Sequence, residues 1–181
     1  GVIKEAFGEG TEESVKKQIM TKLAEIEGLG VKYEEVSLPI GIKYGIPTYY
    51  LIGTSEASTN LAKYCGMRYG KEMKLEGEES RSFNDYFSKV RSENLGKEAK
   101  RRIMLGTFAR MAGYRDAYYM KATKIRTKII EEYKKAFKDY DILVCPTVPI
   151  LPPKFDEIKK LSVIQNYMID VLTVGPNLAG L

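Results

Sequence analysis

Histidine is absent from this chain, which rules out serine-histidine-aspartate and cysteine-histidine catalysis assembled from these residues alone. Cysteine is scarce: Cys65 and Cys145 stand far apart without CxxC spacing. That argues against a zinc site or a disulfide framework and for isolated buried thiols in a reducing compartment. No apolar run approaches the roughly 18 residues that a bilayer span requires, and no charged-then-apolar leader opens the sequence. The expected setting is cytoplasmic, with no membrane. GxGxxG and P-loop patterns are missing, so no phosphate-cradling loop is expected. Charge of one sign is not concentrated either. The net +5 is carried by lysines interleaved with glutamates, as in KEMKLEGEES and EEYKKAFKDYD, the pattern of solvated helix faces rather than of a nucleic-acid stripe.

What is present suits a globular α/β unit. A chain of 181 residues, 44% of them hydrophobic, can bury one substantial core, and we expect a single domain over 1–181. Residues 1–4 read as a strand. A helix starts near Glu12, with Thr11 as its candidate N-cap and Val15, Ile19, Leu23 and Ile26 at helical spacing; Gly28 and Gly30 end it. VKYEEV follows as a second strand, and strand-helix-strand in this order predicts a crossover unit in a largely parallel sheet. Residues 39–45 read as a loop, with Pro47 in the first turn of a helix reaching about Tyr64. Residues 71–81, charged and aperiodic, are expected to form a mobile surface loop. Helices are expected over 82–94, 97–112 and 114–137, the last with a stripe of Tyr114, Tyr118, Ala122, Ile125, Ile129, Tyr133 and Phe137. A buried strand over 141–145, closed by Pro146, and a final helix over 161–174 complete the reading, with Gly175-Pro176 as a tight turn.

Three positions carry candidate chemistry. Arg102 shares a helix face with Ala99, Gly106 and Ala109, so its guanidinium emerges beside small residues, whereas Arg101 shares its side with Glu98. A guanidinium over small side chains can hold a carboxylate bidentately, or it can form a structural salt bridge. Asp170 falls near the C-terminal end of its expected helix, where another anion is disfavoured by about 0.3–1 kcal/mol. Something positive should compensate it, either a lysine or arginine or a substrate ammonium. Tyr49 follows Pro47 on a small, apolar helix, as a core residue or as a ligand contact. Ser55 and Ser58 lack an adjacent base and read as packing residues, not nucleophiles. Glu56 could orient a bound ligand or a partner, or satisfy a buried donor.

Four segments together carry a resemblance: IPTYYLIGTSEASTNLAKYCGMRYG (46–70), RSENLGKEAKRRIMLGTFARMAGYRDAYYMKATKIRTKI from Arg91, DYDILVCPTVP from Asp139, and MIDVLTVGPNLAGL at the end. The chain resembles the glutaminase (A) subunits of the tRNA-dependent amidotransferases, within the amidase signature family, over nearly all its length. The family's serine, cis-serine and lysine lie in a Gly/Ser-rich setting such as GGSSGG, and no such segment occurs here. The resemblance therefore implies a piece downstream of the nucleophile, holding no catalytic residue, and part of a mostly parallel mixed sheet flanked by helices. Without that nucleophile the piece alone is expected to show no glutaminase turnover, and truncation inside elements, which leaves the sheet without neighbouring strands, implies low stability or self-association.

The family holds glutamine through the tyrosine of PxYY, the second arginine of KRR(I)xLG and the aspartate of (D)xLT. These motifs fall on Tyr49, Arg102 and Asp170. The resemblance further implies partner subunits B and C in a heterotrimeric ligase of protein biosynthesis. Its substrates would be glutamine and a misacylated Glu-tRNA(Gln) or Asp-tRNA(Asn). ATP and magnesium would serve the whole complex, with no cofactor or metal held by these residues. Cys65, Arg115, Cys145 and the Gly175-Pro176 pair depart from the family pattern. A stand-alone amidase of the same fold and a noncatalytic RNA-binding module remain as alternatives.

Overall fold

The computed structural model describes residues 1–74 and 82–181. They pack as two compact units, one of Gly1–Tyr49 with Thr123–Leu181 and one of Tyr50–Ala122.

The first unit opens on the expected crossover. Strand β1 (Val2–Ile3) is followed by a short 3-10 turn (Lys4–Phe7), helix α1 (Glu13–Gly28) and strand β2 (Glu35–Val36). β1 and β2 pair in parallel, Val2 with Glu35 and Ile3 with Val36. Gly30, at φ +93°, turns the chain out of α1 in a conformation that L side chains rarely adopt. Thr11 does not cap α1. It is buried, and its hydroxyl donates to Ala6 O at 2.8 Å, which leaves Glu12 at the N-cap position. The strand expected over 141–145 shrinks to one parallel bridge, Val2 with Val144. Ile3 N donates to Val144 O at 2.9 Å and Val144 N to Gly1 O at 2.8 Å. Ile142 is 69% exposed, and Pro146 has no N–H to extend the ladder.

Helix α2 (Pro39–Asn60) differs most from expectation: it begins at Pro39 and runs through Pro47. Pro39 occupies the first helical position, where a missing N–H costs nothing. The Glu132 carboxylate takes the next two donors, Ile40 N at 2.9 Å and Gly41 N at 2.8 Å. Just before it, Glu5 accepts from Leu38 N at 2.9 Å and from the Ser37 hydroxyl. The loop read from local composition is thus a helix start capped by residues distant in sequence. Gly45 permits close packing one turn on, since a Cβ there would fall 2.9 Å from Val174 Cγ2.

Glu132 belongs to α5 (Lys121–Ala136), whose Ile129 and Tyr133 join Val2, Ile3, Ala6, Leu23, Leu38, Val174 and Leu178 in the core. The helix expected over 161–174 is broken in two after a single turn, α6 (Phe155–Ile158): α7 (Val163–Met168) and α8 (Val174–Ala179) flank a turn. Ser162 and Gln165 form a reciprocal capping box at the start of α7. Gly175 and Pro176, read as a tight turn, lie inside α8. A Cβ on Gly175 would meet the Tyr133 hydroxyl at 2.8 Å, and Pro176 sits early enough in the helix to need no N–H. Gly180, at φ +82°, ends α8, and Arg126 Nε donates to Leu178 O at 2.9 Å near that end.

The second unit contains the later half of α2, a 3-10 turn (Leu61–Lys63), α3 (Phe83–Asn94), α4 (Lys97–Arg110) and a π-turn (Asp116–Met120) leading into α5. Ser82 caps α3, accepting from Asn84 N at 3.1 Å and Asp85 N at 3.3 Å. The stripe expected over 114–137 is buried at Ala122, Ile129 and Tyr133, but Tyr114, Tyr118 and Phe137 are exposed. The π-turn breaks the 3.6-residue period. Tyr114 and Tyr118 instead gather around Phe108, with ring centroids 4.5 and 5.9 Å from it. Of the loop expected over 71–81, residues 71–74 have no regular structure and 75–81 lie outside the described residues.

Candidate functional site

The second unit is organised around one glycine. A Cβ on Gly106 would lie 1.9 Å from Thr54 O and 2.4 Å from its carbonyl carbon, so only a hydrogen lets the backbones of α4 and α2 meet there. One turn earlier on each helix, the Arg102 guanidinium carbon lies 5.7 Å from the centroid of the Tyr50 ring. One turn later, Arg110 Nη1 donates to the Thr59 hydroxyl and, at 3.5 Å, to Ser55 O. The register 50 to 102, 54 to 106 and 59 to 110 shows the two helices side by side in the same sense. The small-residue face expected around Arg102 is real, with Gly106 and Ala109 both buried.

Arg102 is 42% exposed in its side chain and Glu98, one turn before it, 50%. Arg102 Nε donates to Glu98 Oε1 at 2.8 Å, while Arg101 Nε donates to Glu98 Oε2 at 2.9 Å. Glu98 therefore serves both arginines, and the salt bridge that stood as the alternative for Arg102 is present. Hydrogen bonds from Arg102, and then from Arg101, hold the Glu98 carboxyl below the usual glutamate range. At this exposure such a pair contributes about 0–1 kcal/mol to stability. Its main consequence is orientation. The relation was visible in KEAKRR as the i,i+3 and i,i+4 spacing from Glu98; Tyr50 under Arg102 had no comparable local signal.

Tyr49 and Asp170 belong to the first unit, and Arg102 to the second. Tyr49 is 36% exposed on α2, not a core residue, whereas its neighbour Thr48 is buried with its hydroxyl unpartnered among the described residues. Asp170 occupies the turn after α7. Its carbonyl accepts from Thr173 N at 3.0 Å, Thr173 Oγ1 at 3.0 Å and Val174 N at 3.2 Å. It thereby initiates α8, with an exposed side chain, and is not bound to the negative end of one long helix.

Ser55 and Ser58 are helix-packing residues as expected. The Ser55 hydroxyl, on a residue 1% exposed, donates to Leu51 O at 2.6 Å, and that of Ser58 to Ser55 O at 2.8 Å. Glu56 is exposed beside a polar groove of about 500 Å³ that also includes Asn60, Arg115 and Tyr119. Both cysteines are free, and burial pushes the Cys145 thiol up. Among the described residues no three acidic, cysteine or histidine side chains gather to hold a metal, and no helix is long and apolar enough to cross a membrane.

Comparison with known proteins agrees with this architecture. The family model described as Amidase matches residues 1–181. Over 181 residues the chain is 46% identical to the A subunit of the glutamyl-tRNA(Gln) amidotransferase of Microcystis aeruginosa, covering 100% of this chain and 36% of that protein. It is 47% identical over 182 residues to the protein of the same description from Trichodesmium erythraeum, also covering 36% of it. The crystal structure of the corresponding glutamyl-tRNA(Gln) amidotransferase A subunit from Thermotoga maritima superposes with a TM-score of 0.66 at 34% identity, over 99% of this chain and 32% of that one. The chain thus spans about a third of the length of the relatives it matches.

Proposed function

This chain belongs to the amidase family, and from that premise we propose that it is part of the glutaminase subunit of a tRNA-dependent amidotransferase, in which it supplies groups that hold free glutamine. Arg102 binds the α-carboxylate, Asp170 the α-ammonium, and Tyr49 adds a hydroxyl contact. Recognising both charges distinguishes glutamine from a plain amide by far more than an apolar pocket could, because the wrong substrate leaves polar groups without partners. The amide is hydrolysed through an acyl-enzyme on a serine outside these residues. The ammonia passes to a partner protein of the complex, where ATP with magnesium activates the misacylated Glu-tRNA(Gln) or Asp-tRNA(Asn). Subunits B and C complete the complex, in the cytoplasm.

The observation that carries this reading is Arg102 itself: an arginine raised over a glycine-based helix crossing, half-exposed, and braced in a way that adds little to folding. The relatives' shared description as amidotransferase A subunits supports the same reading. Arg102→Ala in the whole subunit should raise the glutamine KM by roughly a hundredfold, as for loss of a charged, bidentate contact of about 3 kcal/mol. Hydrolysis of a neutral amide without an amino-acid head should be unchanged. Unaltered glutamine kinetics would overturn the clamp and favour a stand-alone amidase.

A further inference from the structure

We propose that Tyr50 and Glu98 are positioning residues that aim the Arg102 guanidinium at the carboxylate of the amino-acid substrate, an inference that rests on the reading of Arg102 given above. Each constrains a different degree of freedom. Glu98 accepts from Nε at 2.8 Å, which fixes one edge of the planar guanidinium fork. The Tyr50 ring, 5.7 Å from the guanidinium carbon, limits rotation about the side-chain axis, and its negative face attracts the cation. The backbones that bear these side chains are held in register one turn away by Gly106 against Thr54.

Stability offers a poor rationale for the arrangement. The ion pair is about half-exposed, and pairs of that kind contribute little to folding. Arginine also has considerable rotamer entropy. A guanidinium already confined by a ring and a carboxylate has surrendered part of that entropy before substrate arrives, so less is lost on binding. Glu98 also holds Arg101, so two like charges one residue apart share one carboxylate, and the neighbouring cation is drawn to Oε2 rather than competing for substrate.

The test uses the whole subunit in its complex, with glutamine and with 4-aminobutanamide, which keeps the amine and the amide but lacks the α-carboxylate. Tyr50→Leu should raise the glutamine KM about three- to tenfold with kcat within twofold. Tyr50→Phe, which retains the ring, should restore it. Glu98→Gln should raise the glutamine KM by a similar factor, and neither change should alter kinetics with the carboxylate-free amide. Equal losses on both substrates, or a Phe variant no better than Leu, would overturn the positioning role. If Arg102→Ala raises the glutamine KM while Tyr50→Leu and Glu98→Gln do not, only this inference fails. If Arg102→Ala itself leaves glutamine kinetics unchanged, the functional reading beneath it fails.

Discussion

Acids serve different ends in the two units. In the first, Glu132 and Glu5 give their carboxylates to backbone N–H groups and hold the start of α2 in place. In the second, Glu98 faces solvent and gives its carboxylate to two guanidinium groups on its own helix. A backbone donor buried without a partner costs about 1–3 kcal/mol, whereas an exposed ion pair adds little. The first arrangement therefore decides folding, and the second orients two guanidinium groups while contributing little to stability. Glycines divide similarly. Gly106 is demanded by a backbone contact in the second unit, while Gly28 at the end of α1 would meet nothing within 4 Å.

The sharpest way to break this contrast is at the glycines. Gly106→Ala should cost about 3 kcal/mol or more, because α4 and α2 must separate to admit the methyl group. Gly28→Ala should be neutral or stabilising by up to about 1 kcal/mol. Urea titrations of both variants measure the difference, and similar midpoints would remove the special status of the helix crossing. Next come the acids. Glu132→Ala should destabilise by about 2 kcal/mol through loss of both N–H partners of α2, and Glu98→Ala by about 0.5 kcal/mol or less. A larger loss for Glu98 would reverse the assignment of roles.

The smallest expected effect concerns pH. Burial pushes the Glu5 carboxyl up, but hydrogen bonds from the Ser37 hydroxyl and Leu38 N outweigh it, and the net direction is down. The unfolded chain therefore binds the proton more readily. The contribution is present above the ordinary glutamate range near ~4.3 and is lost as pH falls through the lower folded value. Denaturation midpoints between pH 6 and 3 should decline less steeply for Glu5→Gln than for the unaltered chain. Parallel profiles would show that Glu5 does not contribute to the acid dependence.

The elements that were legible in the sequence are those whose signals are local. The parallel β1-α1-β2 crossover followed from the order of elements, and the helical glycine stop from Gly28 and Gly30. The small face around Arg102 followed from spacing alone, since Ala99, Gly106 and Ala109 recur at the helical period. The misread elements depend on residues far away in sequence. Composition in 39–45 favours a loop until Glu132 supplies its caps, from 92 residues downstream of Ile40. Gly175-Pro176 reads as a turn until the Tyr133 hydroxyl occupies the space that a side chain would need. The stripe through Tyr114 failed because a single π-turn shifts the phase on which periodicity relies.

The amino-acid order by itself determined the crossover, the helical identity of α3, α4 and α5, the absence of histidine chemistry and the motifs that carry Tyr49, Arg102 and Asp170. Those properties arise from backbone preference, side-chain period and residue type, all of which act over a few positions. Tertiary structure decided where α2 and α8 begin, that the third strand shrinks to a bridge, and that Tyr50 rather than another ring lies under the Arg102 guanidinium. Such outcomes depend on which donor, acceptor or aromatic face arrives from a distant segment, and short-range pattern contains no term for that.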